Sequence, residues 1–161
     1  MNWEAISAIG QIVGALAVVI SLIYLAREIR SNARAARQAS METLIGWLRQ
    51  LTERPDLREL YYRGLYDFGS LKGADLVGFS ALMNQLFHIF QEMYFQHLDG
   101  NLEQRVWREV EVALPEFIAY PGVQAWWRSR SHWFSEEFAK FGDQVQHAAK
   151  PPSMYREPKD R

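Results

Sequence analysis

The sequence predicts an all-α fold, in which an N-terminal transmembrane helix continues into a bundle of four to five helices. The first observation is one uncharged apolar run near the N-terminus. The second is that apolar residues in the remaining chain recur at steps of three and four, the spacing of one face of an α-helix. The third is that no segment alternates with period two and no hairpin turn is flanked by strand-like runs. Together these patterns favour helices throughout.

The composition narrows the classes of function. The chain has 18 basic and 19 acidic residues, whereas a nucleic-acid-binding domain usually carries a clear basic excess, so we expect no nucleic-acid partner. It contains no cysteine, which excludes disulfides, thiolate metal sites and a cysteine nucleophile, and suits a reducing compartment.

The apolar run extends from Ala5 to Ala26, with Glu4 before it and Arg27 after it. Its 22 residues would span roughly 33 Å as a helix, about the thickness of the hydrocarbon core of a bilayer. Trp3 and Tyr24 lie near the two ends, as interfacial aromatic residues do. The flank before the run has no Lys or Arg, unlike a cleaved signal peptide. The alternative is a buried helix of a soluble protein.

One face of the run consists of small residues. Gly10 and Gly14 form a GxxxG element, and Ala17 and Ser21 extend the same face at helical spacing. Small residues let two helix backbones approach closely, so this face predicts association of transmembrane helices. We expect a homo-oligomer. The alternatives are a helix of a partner protein, or no helix pairing at all.

A basic stripe follows the run. Arg27, Arg30, Arg34 and Arg37 fall within a sector of about 80° on a helix. The segment lacks Pro and Gly, so we expect one unbroken helix as far as residue 52. By the positive-inside rule the stripe is cytoplasmic and the N-terminus faces outward. The stripe would contact lipid headgroups, or would only fix the orientation.

Four further helices are expected in the cytoplasmic bundle. A break at residues 52–56, with Asp56 as N-cap, precedes a helix whose inward residues are Leu57, Leu60, Tyr61, Gly64 and Leu65. After a loop at residues 68–73, the next helix carries Leu76, Phe79, Met83, Leu86, Phe90, Met93 and His97 on one face and ends at the turn 99–101.

The last two helices are expected on either side of a Tyr-Pro-Gly turn. The first covers residues 102–114, with Val106, Val110 and Ala113 inward, and Pro115 is expected to interrupt it. The second is expected to be one long helix over 123–147 that buries Trp127, Phe134, Phe138, Phe141 and Val145.

Three residues are a weak candidate for a metal site. His88 and Glu92 share a helix face, and His97 lies near the end of the same helix, so two imidazoles and a carboxylate are available. A di-iron bundle needs more carboxylates from other helices. The alternative is a polar face or an interhelical hydrogen-bond network formed by Asn84, His88, Gln91 and Glu92. We therefore expect no metal or other cofactor.

A cluster of Trp and Arg residues lies in the predicted last helix. Trp126 and Trp127, with Arg128 and Arg130, would pack in the core, contact a membrane surface, or stack on a ligand. Trp127 lies on the apolar stripe, whereas Trp126 and Trp133 lie beside it. Core packing is the interpretation we favour.

Two stretches resemble a group of small bacterial single-span membrane proteins of unknown function. The first is NWEAISAIGQIVGALAVVISLIYLAREIRSNARA, with its Gly-rich helix ending in Ser-Leu-Ile-Tyr-Leu-Ala. The second is YFQHLDGNLEQRVW followed by YPGVQAWWRSRSHWFSEEFAKF. The resemblance implies a bacterial, membrane-anchored helical protein and no particular activity.

These observations predict a non-enzymatic scaffold in the bacterial inner membrane that assembles through its transmembrane segment. The expected parts are the span (1–26), a juxtamembrane helix (27–52), a cytoplasmic bundle (53–149) and a polar tail (150–161). The alternatives are an accessory subunit of a larger membrane complex, a pore formed by the oligomer, and a metal-dependent enzyme. No sequence motif of a known catalytic type supports an enzyme.

Overall fold

The computed structural model describes residues 3–152, 154 and 155; within the first helix it describes side chains at 11, 14–25, 27, 28 and from 42 onward. This part of the chain is helical and contains no strand, which confirms the all-α prediction. The helices are α1 (Trp3–Glu53), α2 (Pro55–Tyr66), α3 (Gly73–Leu98), α4 (Gln104–Ile118), α5 (Pro121–Arg130) and α6 (Glu136–Ala148), with 3-10 turns at Phe68–Ser70 and Ser131–Trp133.

The chain divides into two compact units, Met1–Ala39 and Ser40–Arg161. Within the part of the chain that the structure describes, no helix is both long enough and apolar enough to cross a membrane. The transmembrane segment expected at residues 1–26 is not supported by this finding and stays a prediction. In the second unit, residues 40–152 together with 154 and 155 form the helical body, and "the body" denotes them below.

Helix α1 is unbroken to Glu53, close to the expected end at residue 52. It stops because Pro55, the first residue of α2, disfavours helical geometry at Arg54, which is extended (φ −115°, ψ 94°). The prediction of Asp56 as N-cap is wrong. Arg54 occupies the cap position, and Asp56 lies in the first turn, where its carboxylate accepts hydrogen bonds from Arg54 Nε (3.0 Å) and Nη2 (2.6 Å).

Helix α3 follows its predicted register. Its apolar row is buried at Phe79, Met83, Leu86, Phe90 and Met93, while the two ends of the row, Leu76 and His97, are half-buried. The turn expected at residues 99–101 is also confirmed: Gly100 has φ +70°, and the following two N–H groups both donate to Gln96 O, at 2.8 and 3.0 Å. A residue with a side chain is strained at such a φ, so Gly suits this turn.

Pro115 does not interrupt α4, which continues to Ile118; this prediction is wrong. A proline near the end of a helix removes one donor while the chain beyond it can still pair, and Ala119 N donates to Pro115 O at 3.0 Å. The extra turn buries Phe117 and Ile118, whose burial offsets the missing hydrogen bond.

The single long helix expected over residues 123–147 is also wrong. Helix α5 ends at Arg130, a 3-10 turn follows, and Phe134 is extended (φ −102°, ψ 167°). Ser135 then caps α6, because its Oγ accepts a hydrogen bond from Phe138 N at 3.3 Å, and two glutamates follow it in the first turn. Such a Ser-Glu-Glu sequence is a helix-start signal. The backbone N–H of Ser135 also donates to Gln91 Oε1 of α3 at 2.9 Å. This hydrogen bond fixes the segment between α5 and α6 against α3.

The core of the body is aromatic, as the composition implies. Trp47, Trp126 and Trp127 are fully buried, and ring stacking joins Trp127 to Phe87 with centroids 4.8 Å apart. Trp47 Nε1 donates to Leu82 O at 3.0 Å, so the last turns of α1 are part of this core. Burying an indole with its N–H satisfied avoids the cost of an unpaired polar group.

Candidate functional site

The small-residue face of α1 is open where the structure describes it. Gly14, Ala17 and Ser21 are exposed, and no described atom lies within 4 Å of a Cβ built on Gly14. Ser21 Oγ donates to Ala17 O at 2.9 Å, so this hydroxyl is satisfied within its own helix. The face is therefore smooth and needs no polar partner at Ser21. The surroundings of Gly10 lie outside what the structure describes.

The remainder of this segment is apolar and exposed. Its large aliphatic side chains each expose between 51% and 66% of their surface. Single exposed apolar residues are usual on proteins, but long contiguous apolar surfaces are not. We call residues 14–25 the apolar segment. Its exposed large aliphatic residues are Leu16, Val18, Val19, Ile20, Leu22, Ile23 and Leu25.

Of the predicted interfacial residues, Tyr24 and Arg27 are described, and both side chains are exposed. The side chains of Trp3, Arg30, Arg34 and Arg37 lie outside the described residues. The backbone of α1 is helical through all three of those arginine positions, which is the condition for a stripe on one face. The contacts of the stripe itself stay a prediction.

The candidate metal residues are not brought together. His88 packs against the ring of Phe134 with centroids 4.8 Å apart, and His97 stacks on Trp107 at 4.2 Å. Glu92 accepts a hydrogen bond from Gln96 at 2.8 Å. Among the described residues no group of three or more His, Cys, Asp or Glu side chains is arranged to hold a metal ion. These histidines pack on aromatic rings instead.

The Trp and Arg cluster separates into two environments. Trp126 and Trp127 are fully buried, so their expected core role is confirmed. Trp133 is 49% exposed, and the guanidinium carbon of Arg130 lies 5.0 Å from its ring centroid. The sequence pattern placed Trp133 beside the stripe but did not predict the 3-10 turn that moves it to the surface of the body.

The described end of the polar tail is docked on the body. The ring of Tyr155 packs edge-on against Tyr61 at 6.1 Å, and its N–H donates to Tyr120 Oη at 3.0 Å. Met154 N donates to Glu116 Oε2 at 3.2 Å. Burial raises the pKa of Tyr61 above its ordinary value, and the neighbouring Tyr155 adds to the shift. The tail thus closes an aromatic cluster on this side of the body.

No family model matches this chain, and no curated protein and no solved structure is significantly similar to it. The likeness to the group of small bacterial membrane proteins therefore stays a prediction. Interpretation of function depends on the residues themselves.

Proposed function

We propose that this protein is a single-pass protein of the bacterial inner membrane that self-assembles through α1 and acts as a non-enzymatic scaffold. The N-terminus faces outward, and the body lies in the cytoplasm. The observation that carries the proposal is the apolar segment: its aliphatic side chains are at least half exposed and belong to a run of 22 residues without a charged side chain.

A lipid environment accounts for this exposure. Each aliphatic side chain transferred out of water contributes about 1.5–3 kcal/mol when fully buried, so seven exposed ones on consecutive helical turns represent a large unfavourable surface in water. The large aliphatic residues cover more than half of the helix circumference, which suits surrounding lipid better than a one-sided core contact. Arg27 and the arginines that follow it would lie at the headgroups, where each contributes about 1 kcal/mol.

Self-association is proposed at the face formed by Gly10, Gly14, Ala17 and Ser21. In lipid, helices associate through close packing and hydrogen bonds rather than through the hydrophobic effect. The open space around Gly14 is where the backbone of a second copy would fit. Since Ser21 Oγ is bonded to Ala17 O, packing rather than a polar contact carries this part of the interface.

Gly14→Leu tests the interface, and Ala15→Leu is its matched control. Both changes add a bulky side chain to neighbouring positions, but Ala15 lies about 100° away around the helix axis. We expect Gly14→Leu to convert the oligomer to monomers in sedimentation equilibrium in detergent, and Ala15→Leu to leave the mass of the oligomer unchanged. An unchanged mass for Gly14→Leu would contradict the interface.

The membrane orientation is testable because the chain has no cysteine. Asn2→Cys and Gln144→Cys, the latter at an exposed position of α6, each introduce a single thiol. We expect a membrane-impermeant maleimide to label Asn2→Cys in intact spheroplasts and Gln144→Cys only after permeabilisation. Labelling of both cysteine variants in intact spheroplasts would overturn the proposed orientation. Recovery of the protein in the fraction not bound to membranes would overturn the proposed location.

Two alternatives are less well supported. A pore needs a polar lining, but the hydroxyl of Ser21 on the small-residue face donates its hydrogen bond within its own helix. Conductance of the purified oligomer in a planar bilayer would support the pore instead. An accessory subunit would need a surface that docks on the larger complex, but Trp126, Trp127 and Phe138, among the aromatic residues expected in the last helix, are buried. Affinity purification from native membranes that returns a fixed second protein would favour that alternative.

A further inference from the structure

A small cavity of the body lies between the first half of α3 and the end of α5. Its volume is about 320 Å³, within the lower range of small-molecule sites. Leu76, Val77 and Ala81 supply an apolar wall, and the indole of Trp133 forms another side. The remaining lining is polar and comes from Ser80, Asn84 and Arg130. All of these residues are remote from the apolar segment in sequence.

The three polar residues share an unusual property. Ser80 Oγ, Asn84 Oδ1 and Arg130 Nε are each buried from water, and none has a hydrogen-bond partner among the described residues. Buried polar atoms are almost always paired, so each exception needs an explanation. Here the residues that carry three of these exceptions come from two separate parts of the chain and line one cavity. A shared missing partner accounts for all three at once.

Arg130 shows which charge the missing partner carries. Among the described residues it forms no ion pair; its Nη1 donates only to Ser129 O, at 3.2 Å. The guanidinium lies over the ring of Trp133, with its carbon 5.0 Å from the ring centroid. A partly buried guanidinium without a carboxylate is costly, because a buried charge needs a compensating partner. An anion is therefore the complementary ligand.

The apolar wall of the cavity indicates which chemical class of anion fits. Inorganic phosphate would place a strongly hydrated ion against Leu76 and Val77 with one cation to balance it, whereas a carboxylate matches the fork of a single guanidinium. We propose that this cavity binds a small monocarboxylate with a compact apolar tail. The carboxylate meets Arg130 and the hydroxyl of Ser80, the amide of Asn84 supplies a further donor or acceptor, and the tail lies on Trp133.

The geometry requires only a small adjustment on binding. Arg130 lines the cavity while its Nε is buried from water, so the guanidinium must rotate toward the cavity to present Nε and one terminal nitrogen as a pair. The hydroxyl of Ser80 rotates without moving the helix. This site is independent of the proposed membrane function, since none of its residues belongs to α1.

Phenylacetate is a suitable probe, with phenylacetamide as an uncharged molecule of the same shape. We expect saturable binding of phenylacetate to the full chain in isothermal titration calorimetry and a shift of the Trp133 indole N–H resonance, assigned with Trp133→Phe. Phenylacetamide should bind at least about tenfold more weakly, since the charge-assisted fork is lost.

Arg130→Lys tests the fork, and Arg128→Lys is its matched control on the same helix at an exposed position. We expect Arg130→Lys to weaken phenylacetate binding about tenfold or more because a lysine lacks the planar pair of donors, and Arg128→Lys to leave it unchanged. Near-ultraviolet circular dichroism checks that each variant is folded.

Several results would overturn the proposal: equal binding of the acid and the amide, equal affinity of Arg130→Lys and Arg128→Lys, preferential binding of inorganic phosphate, or no saturable binding of phenylacetate. The comparison of acid with amide uses the unmodified chain, so it decides the question even if Arg130→Lys does not fold.

Discussion

The apolar residues of the two units are treated in opposite ways. In the body, rings such as Trp127 and Phe138 are fully buried, and Trp127 Nε1 donates to Asp143 Oδ1 at 2.8 Å. In the apolar segment, residues of similar hydrophobicity such as Ile20 and Leu22 are exposed. The body buries a large apolar core within one chain, whereas the large aliphatic side chains of the apolar segment all stay exposed.

The glycines repeat this contrast. A Cβ at Gly122 of α5 would collide with the backbone oxygen of Gly64 in α2 and lie 2.8 Å from Leu65 O, so the absence of a side chain there is used by a contact within the chain. At Gly14 no described atom lies within 4 Å. The contact between α2 and α5 therefore requires glycine at position 122, whereas no contact among the described residues requires it at position 14.

Truncating a core ring should have the largest effect. We expect Trp127→Ala to lower the free energy of unfolding of the body by about 3–5 kcal/mol, as large-to-small changes of buried aromatics do. Leu22→Ala, the control in the apolar segment, should leave that free energy unchanged. Urea titration of the full chain in detergent, followed by tryptophan fluorescence, measures both. An equal decrease in the free energy of unfolding for the two variants would show that the two units do not differ in this way.

Adding one methyl group at each glycine gives a smaller and more specific contrast. Gly122→Ala should destabilise the body by about 1–3 kcal/mol or more, because backbone atoms must move to admit the new group. Gly14→Ala should not change the unfolding free energy of the body, since its surroundings are open. Thermal unfolding of both variants provides the measurement. A stable Gly122→Ala would show that α2 and α5 do not approach as closely as described.

The smallest effect at neutral pH should come from Tyr61→Phe, which we expect to change stability by less than about 1 kcal/mol. The effect of Tyr61→Phe on stability is informative at alkaline pH. The folded-state pKa of Tyr61 is raised above its ordinary value of 10.0 by burial, so the unfolded chain loses this proton first. The stabilisation is fully present below pH 10 and is lost as the pH rises above it.

Tyr61→Phe should therefore lose less stability than the unmodified chain between neutral and strongly alkaline pH. Some loss should remain, since burial also raises the pKa of Tyr94 and Tyr120. Tyr62→Phe, at a tyrosine that is 54% exposed, is the control and should follow the unmodified chain. Parallel alkaline profiles for all three proteins would show that Tyr61 does not keep its proton by burial.

Local pattern predicted the regular elements well. The row from Phe79 to Met93 needs only helical spacing, and the turn at Gly100 needs only a residue that tolerates positive φ, so both were readable from neighbouring positions. The errors have different origins. Asp56 is not the cap because Pro55 takes the first helical position and leaves the cap to Arg54, a preference that is itself local. At Pro115 and at residues 131–135 a packing or capping interaction outweighed the local pattern.

The two candidate sites differ in how far apart their residues lie in the sequence. The apolar segment and its small face are continuous in sequence, so the pattern alone identified them. The cavity at Ser80 and Arg130 joins positions 50 residues apart, and no short-range spacing relates them. Trp133 reaches it only because α5 ends early, which the periodicity did not predict.

By itself the sequence determined that the chain is helical, where most helices run, and that one segment is apolar on all sides, because these properties depend on residues within a few turns of each other. Only the tertiary structure decided that Trp133 lies at the surface, where α5 gives way to α6, and which polar atoms of the cavity residues remain unpaired. Those outcomes depend on contacts between distant residues, whose energies compete with local preference and often exceed it.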